Sequence, residues 1–198
     1  MRILILILAF LLLIAVTNNQ ASVNMDLQTL AAFLQGQEQE KDRIERQQQL
    51  PAIVSVFARH TSRERANRLA YLCYETTIDT PFKPIDLAEL ALAETGGHFL
   101  SSNAVSSEGA LGVWQLMPKR AKSHGYKPAD MKRDEKCAAA AVKELKTKLE
   151  MADGDLAVAK RLYCGTGKQA RAYDVKIRRY RMEILDIMAK IEAAAERS

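Results

Sequence analysis

Helical patterning runs through most of this chain, and strand patterning is nearly absent from it. Apolar residues recur at helical spacing in five segments, which are 63–78, 84–96, 135–152, 154–164 and 170–196. An amphipathic helix places apolar side chains three and four residues apart, whereas a half-buried strand alternates them. The sequence therefore predicts a mainly α fold.

The last helical segment carries a single apolar stripe. Its members follow steps of three and four, and they are Tyr173, Ile177, Tyr180, Ile184, Ile187 and Ile191. Four basic residues lie largely off this stripe, namely Lys176, Arg178, Arg179 and Arg181. We favour a packing helix with a basic outer face over the alternative, a helix that binds a membrane surface or nucleic acid.

The N-terminus has the pattern of an export signal. Arg2 precedes an apolar run from Ile3 to Val16, and small residues follow at Ala21 and Ser22. This run is shorter than the roughly 20 residues that a membrane-spanning helix needs. It therefore favours a signal peptide over residues 1–22, with an uncleaved membrane anchor as the alternative. Either interpretation predicts an exported protein of the periplasm or cell envelope.

A polar segment separates this leader from the rest of the chain. Residues 35–49 contain six Gln and seven charged residues with one aliphatic side chain, so they bury too little apolar surface to form a core. We expect a spacer or solvated helix over 23–50, a compact domain over 51–190 and a short tail over 191–198.

The composition sets limits on partners and cofactors. The formal net charge is +5, which suits an anionic polymer but also an ordinary solvated surface. Cys73, Cys137 and Cys164 allow one disulfide or three buried thiols. With three His and no Cys or His pair at ligand spacing, we predict no metal site and no cofactor.

One carboxylate falls on an apolar helix face. Asp86 and Glu89 resemble a capping box that starts a helix after Pro84. Glu94 shares a face with the apolar residues of that helix, and Glu89 does not. Desolvation raises the pKa of such a carboxyl and makes it a candidate general acid, although a Glu that reaches solvent at the last turn is an alternative.

The segment that follows contains residues suited to a ligand. Gly109 and Gly112 allow sharp turns and close approach of the backbone. Trp114 and Gln115 pair an aromatic face with an amide, which suits a sugar. Taken singly, the indole is more often a core residue and the amide more often a surface residue.

This segment resembles the catalytic segment of the lytic transglycosylase family with the soluble-lytic-transglycosylase domain, related to goose-type lysozyme. The family pattern is Glu-Ser/Thr, a short loop, and then S-x-x-G-A-x-G-x-x-Q-x-M-P. The matching residues are Glu94, Thr95, Ser106, Gly109, Ala110, Gly112, Gln115, Met117 and Pro118. The loop between Glu94 and Ser106 is about three residues longer than usual.

A weaker likeness covers residues 157–185, which are similar to the family's A-Y-N-x-G-x-G segment and its following helix. Gly165 and Gly167 match, whereas Leu162 and Tyr163 stand where Tyr and Asn are usual.

The resemblance implies a lysozyme-like helical domain that cleaves the MurNAc-GlcNAc bond of peptidoglycan glycan strands and leaves 1,6-anhydromuramoyl ends. It implies that Glu94 is the single acid and base. The substrate-binding residues that we expect are Ser106, Gly109, Ala110, Trp114, Gln115, Tyr163 and Tyr180.

Two other functions stay open at this point. If Glu108 supplied a second carboxylate, the protein would be a lysozyme-like hydrolase. A non-catalytic wall-binding subunit of an envelope-spanning secretion or phage apparatus is the other alternative. We expect no nucleic-acid partner in any of these roles.

Overall fold

The computed structural model describes residues 27–165 and 170–197 in full, and for residues 2–26, 168 and 169 it describes only the helical course of the backbone. Two compact units make up the chain, Met1–Glu45 and Arg46–Ser198. The predicted leader, 1–22, lies outside the fully described residues, as does Gly167.

The first unit is helical and open to solvent. Helix α1 is Arg2–Phe57, and nearly all side chains of residues 27–45 are exposed. The exposed side chains include several large apolar ones, namely Leu27, Leu30, Phe33, Leu34 and Ile44. Within the fully described residues, no helix combines the length and hydropathy that a membrane span needs.

The second unit contains the last turns of α1 and six further helices of the described chain. These are α2 Arg63–Thr77, α3 Pro84–Thr95, α4 Pro118–Ser123, α5 Asp134–Met151, α6 Leu156–Cys164 and α7 Lys168–Ala195. Two short 3-10 helices cover Gly96–His98 and Pro128–Lys132. In the described residues, β pairing is limited to isolated bridges in which Leu111 pairs with Val105 and Leu116. The predicted mainly α fold is confirmed.

Helix α3 lies at the centre of this unit. It packs against α2, α5 and α7, and its Leu87, Leu90 and Leu92 are fully buried. A helix covered on several sides is apolar nearly all round, which explains the run of Leu and Ala in this segment. The central position fixes the end of α3 relative to its neighbours.

The start of α3 differs from the prediction in one detail. Pro84 is the first helical residue, and Asp86 occupies the third helical position instead of the cap. Its carboxylate accepts a hydrogen bond from the Lys83 amide at 2.7 Å, so the acid satisfies an unpaired donor at the helix start from inside the helix.

The second unit begins a few residues before the predicted boundary at residue 51. The Arg46 guanidinium is buried and donates to the carbonyls of Thr77, Thr80 and Phe82 at 2.7 to 3.2 Å. The Gln49 side chain accepts a hydrogen bond from the Ile85 amide at 3.0 Å. Polar residues at the end of the spacer are therefore part of the domain.

Helix α7 buries its predicted stripe over most of its length. Tyr173, Ile177, Tyr180 and Ile184 are buried. Ile191 is 38% exposed, because it lies near the end of a helix that runs to Ala195, into the predicted tail.

The three cysteines are free thiols. Cys73 and Cys137 are buried, and Cys164 is exposed. Burial raises the pKa of Cys73 above its usual range and that of Cys137 to about 12, so both behave as small apolar core residues.

Candidate active site

Glu94 lies in the last turn of α3 and lines a cleft. Burial raises the pKa of its carboxyl to about 7, against the lowering effects of the Tyr173 hydroxyl and the Lys176 charge. A carboxyl with this pKa is protonated in part of the molecules at neutral pH, and it can therefore both donate and accept a proton.

The cleft has a volume of about 230 Å³. Its walls come from the end of α3, the loop after it and the segment that begins at Ser106. The lining residues are Glu94, His98, Ser101, Asn103, Ala104, Val105, Ser106 and Gln115. Glu94 is the sole carboxylate among these described lining residues, and they include no Lys or Arg.

Thr95 links the end of α3 to the glycine-containing segment. Its buried hydroxyl donates to the carbonyl of Val113 at 2.8 Å. This bond joins the residue next to Glu94 to the glycine-containing segment. It gives a physical reason for a hydroxyl at this position of the motif.

Gly112 allows the glycine-containing segment to pack tightly. Its φ is +76°, and a Cβ at this position would lie 2.2 Å from the carbonyl oxygen of Met131 and 2.8 Å from Cys137 Sγ. The Gly112 amide donates to the Ala104 carbonyl at 3.0 Å, which connects the two walls of the cleft.

Gln115 faces the cleft in a strained conformation, with φ at 49°. Its Nε2 donates to the carbonyls of Gly112 at 2.7 Å and Ala104 at 3.3 Å. Both amide hydrogens are used inside the protein, so Oε1 is the atom that Gln115 can offer to a ligand. That oxygen accepts from a hydroxyl or an acetamido N–H.

Ser106 and Ala110 form a tight turn beside the cleft. The Ser106 hydroxyl accepts from the Ala110 amide at 3.0 Å, and the Ser106 amide donates to the Ala110 carbonyl at 3.0 Å. Gly109 lies in this turn with φ at +81° and open space around it. The hydroxyl hydrogen of Ser106 can still be donated to a ligand in the cleft.

Two groups on α7 act on Glu94, and the sequence analysis assigned neither to the site. The buried Tyr173 hydroxyl has no hydrogen-bond partner of regular geometry among the described residues, yet it approaches Glu94 closely enough to lower the pKa of that carboxyl. Lys176 donates to the carbonyl of Ala93, next to Glu94. From the sequence, Tyr173 is expected to be a core residue, because it lies in the apolar stripe of α7.

Tyr163 lies near Glu94 and makes a structural contact. Its hydroxyl donates to the Trp114 carbonyl at 2.9 Å, and burial together with the Glu94 charge raises the pKa of the phenol well above its usual range. The phenol therefore stays protonated and attaches α6 to the cleft wall. It is not among the residues that line the cleft.

Two aromatic residues predicted to bind substrate lie in the core. Trp114 is fully buried, and its indole N–H donates to the Leu87 carbonyl at 2.9 Å, so it has no exposed face for a sugar. Tyr180 is 5% exposed and packs edge-on against His60, with its hydroxyl near Gly96. Neither residue is among the residues that line the cleft.

Glu108, the candidate for a second catalytic carboxylate, lies outside the cleft. Its side chain is exposed and does not line the cleft. In the searched part of the chain, no three His, Cys, Asp or Glu side chains are grouped so that they could hold a metal ion.

A helical domain with one carboxylate of raised pKa in a polar cleft has the arrangement of an acid–base enzyme. Comparison with known families gives the substrate class, because the model of the Transglycosylase SLT domain matches residues 83–184. That match covers just over half of the chain, and the chain belongs to this family. It is a peptidoglycan lytic transglycosylase with a lysozyme-like domain. No curated protein and no solved structure matches the chain.

Proposed function

We propose that this enzyme cleaves the β-1,4 bond between MurNAc and GlcNAc with Glu94 as its single acid and base. The observation that carries the proposal is the position of Glu94: it is the one carboxylate among the described residues of the cleft, and burial raises its pKa to about 7. A group that must give and then take a proton works best with a pKa near the operating pH.

The reaction begins with proton transfer. The protonated Glu94 carboxyl donates its proton to the glycosidic oxygen, and the bond between C1 of MurNAc and this oxygen breaks. GlcNAc leaves with a free 4-hydroxyl group.

Ring closure completes the reaction and restores the enzyme. The C6 hydroxyl of the same MurNAc attacks C1, and the Glu94 carboxylate takes the proton of that hydroxyl. The product is a 1,6-anhydromuramoyl end, no water is consumed, and Glu94 is protonated again.

The surroundings of Glu94 support both halves of this cycle. Burial stabilises the protonated carboxyl that the first half needs, while the Tyr173 hydroxyl and the Lys176 charge stabilise the carboxylate of the second half. These opposing effects hold the pKa of Glu94 at about 7, so both the protonated and the ionised form are populated near neutral pH.

The cleft wall supplies polar groups that can orient the sugars. Gln115 Oε1 suits an acetamido N–H or a hydroxyl donor, and the Ser106 hydroxyl suits an acceptor. The turn with Gly109 and Ala110 brings backbone close to the sugar. We leave Trp114 and Tyr180 out of the substrate contacts.

A hydrolase with two carboxylates finds less support. Inverting and retaining glycosidases place their carboxyl groups about 5 to 9.5 Å apart across the scissile bond. Glu108, the acid considered for the second role, is exposed and outside the cleft lining. The single-carboxylate cycle needs no such partner.

Location follows from the substrate. We propose that residues 1–22 export the enzyme, as cleaved signal or retained anchor, and that the segment from residue 23 to Glu45 is a spacer before the catalytic domain, which includes Arg46 and Gln49. Fractionation of cells that express the full chain separates the two: a shortened protein in the soluble periplasmic fraction indicates cleavage, and a full-length membrane protein indicates an anchor.

The test of the chemistry is release of muropeptides from purified sacculi, with products identified by mass spectrometry. We expect anhydro ends from the wild type and none from Glu94→Gln. Glu108→Gln is the matched control and should behave as the wild type does. Reducing ends in place of anhydro ends would reject the proposed mechanism, and full activity of Glu94→Gln would reject the assignment of the acid.

A further inference from the structure

The loop after α3 is held by its buried residue Leu100. The Leu100 amide donates to the Thr95 carbonyl at 3.0 Å, and its carbonyl accepts from Arg65 Nη2 at 2.6 Å and Nε at 3.0 Å. Arg65 also pairs with Asp134, which is almost fully buried, at 2.9 Å. These contacts from α2 and α5 fix the loop at one point.

The backbone is strained at Leu100 and at Phe99 before it. Phe99 and Leu100 have φ of 57° and 51°, the left-handed region that bulky residues rarely adopt. Such strain persists only where the surrounding structure enforces it, and it is concentrated at functional sites. Leu100 is fully buried, whereas Phe99 is 76% exposed. The strained turn therefore displays an aromatic ring to solvent.

Phe99 belongs to the segment that lines the cleft. His98, which precedes Phe99, and Ser101, two residues after it, both line the cleft with Glu94. Val105, another lining residue, is 60% exposed. Two exposed apolar side chains, Phe99 and Val105, are thus carried by the loop that forms one side of an otherwise polar cleft.

We propose that Phe99 forms an outer sugar subsite, where its ring stacks on a pyranose of the glycan strand next to the pair that is cleaved. This inference rests on the proposed function. An aromatic face fits the apolar C–H face of a β-linked pyranose ring, and solvent-exposed rings commonly serve such contacts. The cavity of about 230 Å³ leaves the rest of a long strand to lie across its mouth.

The charges of the site favour a sugar ring over a peptide stem as the occupant. Peptide stems carry carboxylates, which bind best to Arg or Lys. The described lining residues include neither, and His98 is their one basic side chain. An exposed aromatic ring beside neutral polar groups is the surface that a carbohydrate fits.

The test measures binding of β-1,4-linked GlcNAc oligomers by titration calorimetry in the Glu94→Gln background, where no cleavage intervenes. Removal of the ring by Phe99→Ala and by Phe99→Gly should weaken hexamer binding about 3- to 10-fold, as loss of one aromatic contact does. Phe99→Tyr keeps the ring and should restore the affinity. Binding of the disaccharide should not change, because it occupies the cleft without reaching the ring.

Phe33→Ala is the matched control, since Phe33 is also an exposed phenylalanine, 60% exposed, in the first unit. It should leave hexamer binding unchanged. Equal hexamer affinities with and without the Phe99 ring would overturn the subsite, and so would an equal loss for the disaccharide. Muropeptide release by the wild type is measured separately, so failure of the chemistry and failure of the subsite give different results.

Discussion

The hydroxyl of Tyr173 is buried against the carboxyl group of Glu94 and has no regular hydrogen-bond partner among the described residues. A hydroxyl in this position interacts more strongly with the ionised acid than with the protonated one. It therefore opposes the effect of burial and lowers the pKa of Glu94, although burial remains the larger effect.

Tyr173→Phe should reduce the rate of muropeptide release by roughly 10- to 100-fold. Because the hydroxyl lowers the pKa of Glu94, its removal should also move the decline of activity at high pH to a higher pH. The measurement is a pH–rate profile on sacculi. Tyr126→Phe is the control, since the ring of Tyr126 lies under Lys143. An unchanged pH profile for Tyr173→Phe would rule out the coupling.

Glu94→Gln should change the pH dependence of stability. The pKa of Glu94 is about 7 in the folded protein and 4.5 in an ordinary environment. The unfolded chain therefore loses this proton first as pH rises, and the free energy of unfolding falls between about pH 4.5 and 7. Below about pH 4.5 Glu94 is protonated in both the folded and the unfolded chain, so its burial no longer lowers the free energy of unfolding.

Above pH 7 the Gln variant should be more stable than the wild type by up to roughly 3 kcal/mol. Denaturant unfolding of both proteins at pH 4.5 and pH 8 measures the difference. Glu108→Gln, at an exposed position, should follow the wild type at both pH values. An equal change in the free energy of unfolding between these two pH values, for the wild type and for Glu94→Gln, would contradict the raised pKa.

Lys160→Met should destabilise the fold strongly. Lys160 Nζ lies 2.6 Å from Asp86 Oδ1 and also bonds Glu89, and all three side chains are buried. Arg181 from α7 joins them at 2.9 Å from Asp86. Loss of one member of a buried pair leaves an unpaired charge, which costs about 3–5 kcal/mol.

Lys190→Met is the comparison for Lys160, because Lys190 pairs with Asp186 at 3.0 Å on one helix and both side chains are exposed. It should cost about 1 kcal/mol or less. Chemical denaturation measures both. Similar losses for the two variants would mean that the buried cluster does not hold α3, α6 and α7 together.

Gly112→Ala and Gly109→Ala separate backbone strain from steric overlap. Both glycines have similar positive φ, +76° and +81°, but only at Gly112 does a Cβ meet other atoms, 2.2 Å from Met131. Gly109→Ala should cost about 1–2 kcal/mol for conformation alone. Gly112→Ala should cost at least about 2 kcal/mol more. Equal unfolding midpoints would contradict the tight packing.

The sequence predicted the helices well, for a physical reason. Apolar spacing and the flanking Pro84 and Gly96 are local signals, and α3 indeed covers Pro84–Thr95. The position of Glu94 on the apolar face of α3 follows from helix geometry. The segment from Ser106 to Gln115 was predicted as part of the site only through the resemblance to the family pattern.

Side-chain environments were predicted less well. A Trp beside a Gln has the same sequence whether the indole faces a ligand or the core, and Trp114 faces the core. Tyr173 occupies an ordinary stripe position, and only the packing of α7 on α3 brings it to Glu94. The left-handed turn at Phe99 depends on Arg65, distant in sequence, and no local signal encodes it.

The burial of Trp114 has a practical consequence for spectroscopy. It is the one tryptophan of the chain, it is fully enclosed, and its N–H bonds the backbone of the central helix. Its fluorescence should therefore shift when the domain unfolds and stay constant when a glycan enters the cleft. The protein carries an internal reporter of folding that substrate does not disturb.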